Sequence, residues 1–187
     1  MPDDAATAMT VGWALFDTPI GPCALAWDAA QVVTACRLPA DDVATTRQQV
    51  ARWVGAVPEG TPPPALAAVT GRIAAVLQGA ADTLEDVPLA LDRVPPFHRR
   101  VYEAARRIVP GRTVHYGELA LQLGDPRAAR AVGQALGANP FAPIVPCHRV
   151  LAAGGRPGGF SAPGGLATKL RMLELERACF GGQPGLF

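Results

Sequence analysis

The stretch "YGELALQLGDPRAARAVGQALGANP", residues 116–140, decides how the second half of the chain folds. Leu119, Ala120 and Leu123 mark a short helix, "GDP" marks a turn, and apolar residues from 128 to 136 mark a second helix. Two short helices joined by a glycine-containing turn are typical of a helix-turn-helix, but also of an ordinary αα-hairpin. The residues alone leave both interpretations open.

The solvent face of the predicted second helix combines long polar side chains with small residues. Arg127, Arg130 and Gln134 recur at i, i+3 and i+7, and Ala131 and Gly133 keep the surface between them low. A helix with this face can approach the wall of a nucleic-acid groove closely, which predicts nucleic-acid binding. The alternative is an ordinary αα-hairpin whose exposed face carries ion pairs.

The next stretch, "NPFAPIVPCHRVLAAGG" (139–155), places Cys147 in a proline-stiffened segment. Because prolines at 143 and 146 restrict the backbone and remove donors, we expect extended chain here rather than a helix. Cys147 could be core filler, a metal ligand, half of a disulfide or a nucleophile. A nucleophile needs a base such as His148, and extended neighbours point apart, so one water would bridge them. Arg149 would favour the thiolate or tie the loop down.

The remaining cysteines, Cys23, Cys36 and Cys179, are far apart and form no C-x-x-C pair. This spacing argues against a zinc knuckle and provides no disulfide framework, although cysteines from distant segments could still meet. Cys23 and Cys36 lie in strand-like apolar sequence and are predicted to be buried thiols. We expect a reduced, cytoplasmic setting.

Composition and charge limit the classes of protein to which the chain can belong. The chain has 187 residues, of which 49% are hydrophobic and 18% charged, as in a soluble globular protein. No apolar run approaches the ~20 residues that span a bilayer, and "MPDDAATAMTVGWALF" lacks the basic start of a signal peptide. Residues 1–94 carry 11 acids and 5 bases, whereas residues 95–187 carry 5 acids and 12 bases. This asymmetry predicts either a polyanion partner for the second half or a solvated basic surface.

Periodicity along the rest of the chain predicts an α+β fold. Residues 13–38 indicate two or three strands, and 84–95 a further strand. Helices are predicted at 44–57, at 64–80 with Leu66, Val69, Ile73 and Leu77 on one face, and at 97–109 with arginines opposite the apolar face. The Pro-Pro pair at 95–96 is the expected junction between domains 1–94 and 95–187.

Four segments together resemble one known family. "YGELA", "DPRAARAVGQAL", "NPFAPIVPCHRV" and "GGFSAPGGLATKLRMLELE" are similar to the O6-alkylguanine-DNA alkyltransferases, also called methylated-DNA–protein-cysteine methyltransferases. The resemblance runs from about Phe97 to Glu176, and its Pro-Cys-His-Arg core is highly specific. "FDTPIGPCALAW" resembles the family's N-terminal domain more loosely.

The resemblance implies a fold and a chemistry. The fold joins a small strand-rich, RNase H-like domain to a mostly helical domain with a helix-turn-helix. Such a protein, a monomer with no membrane association, binds duplex DNA through the minor groove and flips the damaged base. It then transfers the alkyl group of O6-alkylguanine, and in some cases O4-alkylthymine, irreversibly to a cysteine without a cofactor or metal.

The resemblance also implies roles for individual residues. Cys147 is the alkyl acceptor, His148 is the catalytic base acting through water, and Glu176 orients His148. Asn139 braces the segment before the cysteine. Tyr116 contacts the alkylated nucleobase and donates a proton to it. Arg130 fills the gap left by the flipped base, and the other DNA contacts are Arg127, Tyr116, Gln134, Ala131 and Gly133. The alkylguanine pocket is assigned to Ser161, Phe160, Val150 and Pro146.

Several positions depart from the family pattern. His115 and Tyr102 stand where the family commonly has serine and tryptophan, and we expect Tyr102 to keep a core role. Ala162 and Pro163 interrupt the glycine run of the pocket loop, which leaves the size of the accepted alkyl group open. The four-cysteine zinc module of some bacterial relatives is missing from the sequence.

Three rival functions remain to be weighed. Alkyltransferase-like proteins replace the acceptor cysteine, so Cys147 argues against that class. A cysteine hydrolase would need a substrate cleft and turnover. An alkylation- or redox-sensing helix-turn-helix protein would bind one operator sequence far better than others, and it is the main alternative.

Overall fold

The structure is a computed structural model that describes residues 10–179, a three-stranded sheet followed mainly by helices. The first half contains β1 (Thr10–Phe16), β2 (Cys23–Asp28), β3 (Val33–Arg37), α1 (Val43–Val54) and α2 (Pro64–Val76). The second half contains α3 (Pro96–Arg106), β4 (Val114–His115), α4 (Tyr116–Gln122), α5 (Ala129–Gly137), β5 (Val150–Leu151) and α6 (Gly165–Leu175). This mixed α/β architecture confirms the coarse fold prediction. The acidic N-terminal residues 1–9, part of the segment without a signal-peptide start, lie outside the described range.

The three N-terminal strands form one antiparallel sheet in the order β1-β2-β3, which confirms the prediction of strands at 13–38. The register places Leu25 opposite both Ala14 and Cys36. Every residue of β2 is buried. Alternate side chains of the sheet enter two different apolar clusters, the larger of which holds Leu25 and the smaller of which holds Ala26 and Val50 of α1. The sheet is therefore covered on both faces.

Helices α1 and α2 agree with the predicted helical periodicity, although both end earlier than expected. The Asp42 carboxylate accepts a hydrogen bond from the Thr45 amide at 2.6 Å and caps α1. Gly55 ends α1 with φ +73°, a conformation that favours glycine. The predicted apolar face of α2 is confirmed, since these four residues are all buried: Leu66, Val69, Ile73 and Leu77.

The predicted strand at 84–95 is wrong. Leu89 makes a single bridge to Val33, and the segment otherwise contains turns and a 3₁₀ turn at Leu91–Arg93. The backbone carbonyls of residues 84, 85 and 87 instead accept hydrogen bonds from Nη2 of Arg106, at 2.5, 2.8 and 2.8 Å. Arg106 is only 8% exposed, so its predicted position on the solvent face of α3 is also wrong. Its guanidinium thus donates the hydrogen bonds that these backbone carbonyls would accept from a neighbouring strand in a sheet.

The two short helices predicted at 116–140 are present as α4 and α5. They pack against each other and against α3, whose Tyr102 is fully buried. The Tyr102 hydroxyl donates to the Ala135 carbonyl at 2.9 Å, and its ring meets Phe141 edge-on. The expected core role of Tyr102 is confirmed. The short parallel pair of β4 and β5, which the sequence did not indicate, joins Val114 to Val150.

The two halves of the chain share one apolar core. The larger cluster contains side chains from both sides of Pro95, including Leu25 and Val101. The Cys36 amide of β3 also donates to the Pro140 carbonyl at 2.9 Å, directly upstream of the cysteine segment. The sheet edge therefore helps to position that segment, and the domain boundary at residue 95 stays a prediction.

Within residues 10–179, no helix is both long enough and apolar enough to cross a membrane.

Candidate active site

Cys147 begins a 3₁₀ turn, Cys147–Arg149, so the expectation of an extended chain at this residue is wrong. The turn forms because the Arg149 amide donates to the Pro146 carbonyl at 3.0 Å. Proline at the position before the turn is compatible with this bond, since only its carbonyl is used. The Cys147 side chain is 8% exposed, and it lines the point where two surface cavities meet.

Asn139, to which the family resemblance assigns a bracing role, makes two hydrogen bonds within the chain before the cysteine. Its amide nitrogen donates to the Val145 carbonyl at 2.8 Å, and its amide oxygen accepts from the Phe141 backbone at 2.9 Å. The side chain thus fastens both ends of the intervening loop. Together with the Cys36–Pro140 contact, this limits the movement of the backbone that carries the sulfur.

His148, Arg149 and Glu176 form a buried network behind Cys147. The His148 Nε2 atom lies 2.9 Å from Oε1 of Glu176, and both side chains are fully buried. Arg149 donates to both Glu176 oxygens, through Nε at 2.9 Å and Nη2 at 2.7 Å, and to the Ile108 carbonyl at 2.6 Å. Of the two roles considered for Arg149, tying down the loop is the one the contacts favour.

The network determines the proton positions on His148. Burial alone would raise the pKa of the Glu176 carboxyl, but His148 and Arg149 outweigh it and lower that pKa to about 2. Burial lowers the pKa of His148, so the imidazole is neutral near pH 7. Glu176 is then an anionic acceptor and holds the imidazole hydrogen on Nε2. Nδ1 is left as an acceptor, and it is buried without a hydrogen-bond partner among the described residues.

Burial raises the pKa of the Cys147 thiol, while hydrogen bonding from Asn139 and the positive charge of Lys169 act in the opposite direction. Near pH 7 the protein by itself therefore holds a thiol rather than a thiolate. The neutral imidazole of His148 is a base that can remove this proton during a reaction.

Lys169 is a functional candidate that sequence reasoning missed. It is the only lysine in the chain, and its side chain is fully buried. Its ammonium group donates to the Val150 carbonyl at 2.7 Å and lies 5.9 Å from the ring centre of Tyr116 and 5.8 Å from that of Phe160. Burial lowers its pKa to about 8, and the interaction with Cys147 opposes this shift. The signal available in the sequence was a single lysine inside an apolar helix segment.

The smaller of the two cavities, about 460 Å³, brings several predicted site residues together. We call it the base-side cavity, and it is lined by Tyr116, Gly133, Leu136, Gly137, Cys147, Gly159, Phe160 and Ser161. The Ser161 hydroxyl donates to the Gly137 carbonyl at 2.8 Å, which fastens the pocket loop to the end of α5. Val150 and Pro146 are buried and are not among the residues that line this cavity.

Tyr116 is the first residue of α4 and is half-buried beside the cavity. Burial raises the pKa of its hydroxyl, so the phenol keeps its proton near neutral pH. A Cβ added to Gly158 would lie 3.3 Å from the Tyr116 ring, and Gly158 has φ +73°. Glycine at this position allows the loop to lie close against the ring.

The predicted face of α5 has the expected character. Arg130 and Gln134 are exposed on α5, and Arg127 is exposed in the turn that precedes it. Ala131 and Gly133 are half-buried, and a Cβ on Gly133 would come within 3.8 Å of the Tyr116 ring. The exposed Arg130 and part of the lining of the base-side cavity therefore share one helix.

The remaining cysteines agree with the sequence analysis. Cys23 and Cys36 are fully buried free thiols, as predicted, and Cys179 is exposed. Among residues 10–179, no group of three or more histidine, cysteine, aspartate or glutamate side chains could hold a metal ion.

Cys147 lines a cavity and is followed directly by a histidine that is paired with a carboxylate. This arrangement is typical of enzymes with a cysteine nucleophile. Residues 96–178 match the family described as "6-O-methylguanine DNA methyltransferase, DNA binding domain". The chain is 39% identical over 163 residues to the methylated-DNA--protein-cysteine methyltransferase of Mycobacterium tuberculosis (strain ATCC 25618 / H37Rv), covering 87% of this chain and 90% of the relative. It is 40% identical over 162 residues to that of Mycobacterium leprae, covering 86% and 89%.

Comparison with solved structures points to the same family as the sequence comparisons. The structure of Mycobacterium tuberculosis OGT in complex with DNA has a TM-score of 0.70 and 37% identity, covering 89% of this chain and 92% of that one. O6-methylguanine-DNA methyltransferase from Pyrococcus kodakaraensis has a TM-score of 0.69 and 25% identity, covering 88% and 98%. The chain belongs to the family of methylated-DNA--protein-cysteine methyltransferases.

Proposed function

We propose that the protein repairs DNA by transferring the alkyl group of O6-alkylguanine irreversibly to Cys147. The observation that carries this proposal is the buried Nδ1 atom of His148, which has no hydrogen-bond partner among residues 10–179, while Nε2 is held by Glu176. A buried acceptor without a partner is costly in a folded protein and is explained by a role in proton transfer, directly or through one water.

The proposed reaction is a direct displacement. His148 takes the Cys147 proton, the sulfur attacks the carbon bound to guanine O6, and a sulfur–carbon bond forms as the carbon–oxygen bond breaks. The released electron pair stays on guanine, which takes a proton from the Tyr116 hydroxyl or from water. The product is a neutral thioether that cannot return the alkyl group, so each molecule acts once.

DNA recognition is assigned to α4 and α5, which we interpret as a helix-turn-helix. The small residues and exposed Arg130 of α5, with Arg127 in the turn before it, suit a close approach to the minor groove, and residues of α5 also line the base-side cavity. Arg130 would fill the gap left by the flipped base, which offsets the loss of stacking. The DNA complex of the Mycobacterium tuberculosis relative supports DNA as the partner.

Further parts of the proposal follow from family membership. The N-terminal sheet is interpreted as an RNase H-like domain, and the protein acts as a monomer. O4-alkylthymine is a second substrate, because it presents an alkylated oxygen to the same sulfur. Pro146 and Val150 would support the pocket from behind, since both are buried and lie in the segment that carries Cys147.

The chemical test uses duplex DNA containing one O6-methylguanine and the intact mass of the protein. We expect one added methyl group per molecule, on the peptide that contains Cys147, and no further turnover. Cys147→Ser should bind the duplex without gaining mass, and the buried Cys36→Ser serves as a cysteine control. Continued turnover, or strong preference for one operator sequence without transfer, would favour a hydrolase or a sensor instead.

The DNA-binding assignment is tested by Arg130→Ala, with Arg99→Ala as the control. Arg99 is exposed on α3 and paired with Glu103. We expect Arg130→Ala to reduce transfer from duplex DNA by at least about tenfold, since the inserted side chain offsets a flipping cost of a few kcal/mol. Transfer from the free O6-alkylguanine base should be unchanged, because no flipping is then required. Equal loss in both assays would contradict the role.

A further inference from the structure

Arg156 is an exposed arginine beside the base-side cavity that the proposed function does not use. It lies in residues 152–159, which follow β5 directly and which we call the rim loop. Because β4 and β5 are parallel neighbours, Tyr116 and the rim loop leave this small sheet at the same end. Gly159, the last residue of the rim loop, lines the base-side cavity. The rim loop therefore borders the cavity that would receive the base.

Two glycines place α5 and the rim loop at opposite edges of the Tyr116 ring. A Cβ added to Gly133 of α5 would lie 3.8 Å from Cε1 and 3.9 Å from Cδ1, whereas a Cβ added to Gly158 would lie 3.3 Å from Cε2. Arg130 comes three residues before Gly133, and Arg156 comes two residues before Gly158. The two exposed arginines are therefore attached to segments that the Tyr116 ring separates.

The backbone of the rim loop is fixed by its own hydrogen bond. The Ala152 amide donates to the Arg156 carbonyl at 2.8 Å, which closes the first half of the loop. Gly154 and Gly155 have φ of +73° and +70°, left-handed conformations that favour glycine and allow this tight closure. A ligand that binds Arg156 does not have to order the loop first, so less of the binding free energy is lost.

The Arg156 guanidinium is anchored through Nε, which donates to the Ala153 carbonyl at 3.2 Å. Among residues 10–179, Arg156 forms no ion pair with a carboxylate, whereas the exposed Arg99 and Arg171 each form one. The anchor at Nε leaves Nη1 and Nη2 side by side at the end of the side chain. Such a pair of nitrogens can bind two oxygens of one phosphate group.

A DNA strand that places a flipped base in the base-side cavity must run across the mouth of the cavity, with backbone on both sides of that nucleotide. We propose that Arg156 binds a backbone phosphate of the strand that carries the alkylated guanine, next to the flipped nucleotide. This inference deepens the proposed repair function and rests on it. Since a phosphate contact carries no sequence information, Arg156 contributes affinity and register rather than selectivity for a base.

The first test measures binding to a duplex containing O6-methylguanine in the Cys147→Ser background, where no transfer occurs. We expect Arg156→Gln to weaken binding by about tenfold and to reduce the slope of log affinity against log salt concentration by about one. Arg156→Lys keeps the positive charge and should keep the slope. Arg99→Gln, which removes a paired arginine of α3, should change neither quantity. An unchanged slope in Arg156→Gln would overturn the proposal.

A scan of the phosphates identifies the partner of Arg156. Each duplex carries one neutral methylphosphonate in place of a phosphate, and this position is moved along both strands around the lesion. We expect one position in the lesion strand at which neutralisation weakens binding when Arg156 is present but causes no further loss in Arg156→Gln. Equal losses in both proteins at every position, or coupling confined to the complementary strand, would refute the assignment.

Transfer assays with Cys147 in place separate this inference from the proposed function. At limiting protein concentration, Arg156→Gln should slow methyl transfer from the duplex by about tenfold, in line with its weaker binding. Transfer from the free O6-methylguanine base should be unchanged, because the free base has no phosphate. An equal loss with the free base would indicate a structural role of the loop and would overturn the proposal. Absence of methyl transfer in the wild type would instead contradict the proposed function.

Discussion

At the scale of single residues, a buried cation accompanies the reactive sulfur. In the part of the chain that the structure describes, Lys169 donates to the Val150 carbonyl, and two aromatic rings lie near its ammonium group. Burying an ammonium group without a carboxylate is costly, as the lowered pKa of about 8 reflects. The charge favours the Cys147 thiolate, and its retention at this cost is explained by that effect on the sulfur.

We expect Lys169→Met to slow methyl transfer by about tenfold, which corresponds to about 1.4 kcal/mol of lost stabilisation, because the variant lacks the positive charge that favours the Cys147 thiolate. The ratio of wild-type to variant rates should fall as the pH rises through about 8, because the wild-type lysine loses its proton there. Arg171→Met, exposed on the same helix, is the control and should leave the rate unchanged. A constant ratio across this pH range would contradict the electrostatic role.

The arrangement of the site was only partly predictable, and the roles of its residues stay predictions. Cys147, His148, Asn139 and Glu176 were identified because their spacing matches a family signature, and the structure brings all four together. Lys169 was missed because a lysine in a helix is usually solvated, and the periodicity of α6 does not reveal which turn faces the cavity. The direction in which a single side chain points is a property of packing between distant segments.

At the scale of elements, the end of α6 holds the 3₁₀ turn that carries Cys147. Glu176 follows α6 directly and accepts hydrogen bonds from two residues of that turn. The helix also presents Lys169 to the same site, so its position along its own axis affects both the base and the thiol. A shift of α6 would therefore disturb catalysis and stability together.

Glu176→Gln is expected to lower the free energy of unfolding by about 3–5 kcal/mol, because it leaves the buried Arg149 without a charged partner. Glu174→Gln is the matched control, since Glu174 is exposed and its ion pair with Arg171 spans 3.6 Å. That change should cost about 0.5 kcal/mol or less. Urea unfolding at pH 7 measures both, and equal effects would refute the importance of the network.

The contribution of Glu176 should also depend on pH. Its pKa is about 2 in the folded protein against an ordinary value of 4.5, so the folded state releases the proton more readily. The stabilisation is then fully present above pH 4.5 and is lost as the pH falls through about 2, amounting to about 3 kcal/mol. The difference between wild type and Glu176→Gln should shrink across this window. A difference that does not change there would contradict the assigned pKa.

Helices with one apolar face were predicted well. The prediction failed at a segment whose carbonyls bond to a distant side chain and not to a neighbouring strand. The faces of α2, α4 and α5 follow directly from periodicity. The segment 84–95 alternates like a strand, but Arg106 supplies the donors for its carbonyls. Because the hydrogen-bond donor lies about twenty residues further along the chain, the sequence of the segment itself gives no sign of it.

At the scale of the whole molecule, the two halves are joined by packing as well as by the chain. Cys36 and Pro140 are 104 positions apart in the sequence, yet their backbones are hydrogen-bonded next to the cysteine segment. The Pro95-Pro96 pair suggested a junction, but no local signal indicated that one apolar cluster would cross it.

We therefore expect the full chain to unfold in one cooperative transition rather than two. Calorimetric and van't Hoff enthalpies should agree, and near- and far-ultraviolet circular dichroism should report the same midpoint. Substitution of Val101 or Leu25 by alanine should shift this single midpoint downward in both cases, because both side chains belong to the shared cluster. Two separate midpoints would show that the halves are independent.

The single lysine has a practical consequence for proteolysis. A lysine-specific protease can cut this chain at one peptide bond only, the one after Lys169, and the side chain it must recognise is fully buried. Cleavage therefore requires α6 to leave the site, and its rate reports how often the network of His148, Arg149 and Glu176 opens. The rate of cleavage at Lys169 therefore measures this opening without any added label, and it can be compared before and after the sulfur has been alkylated.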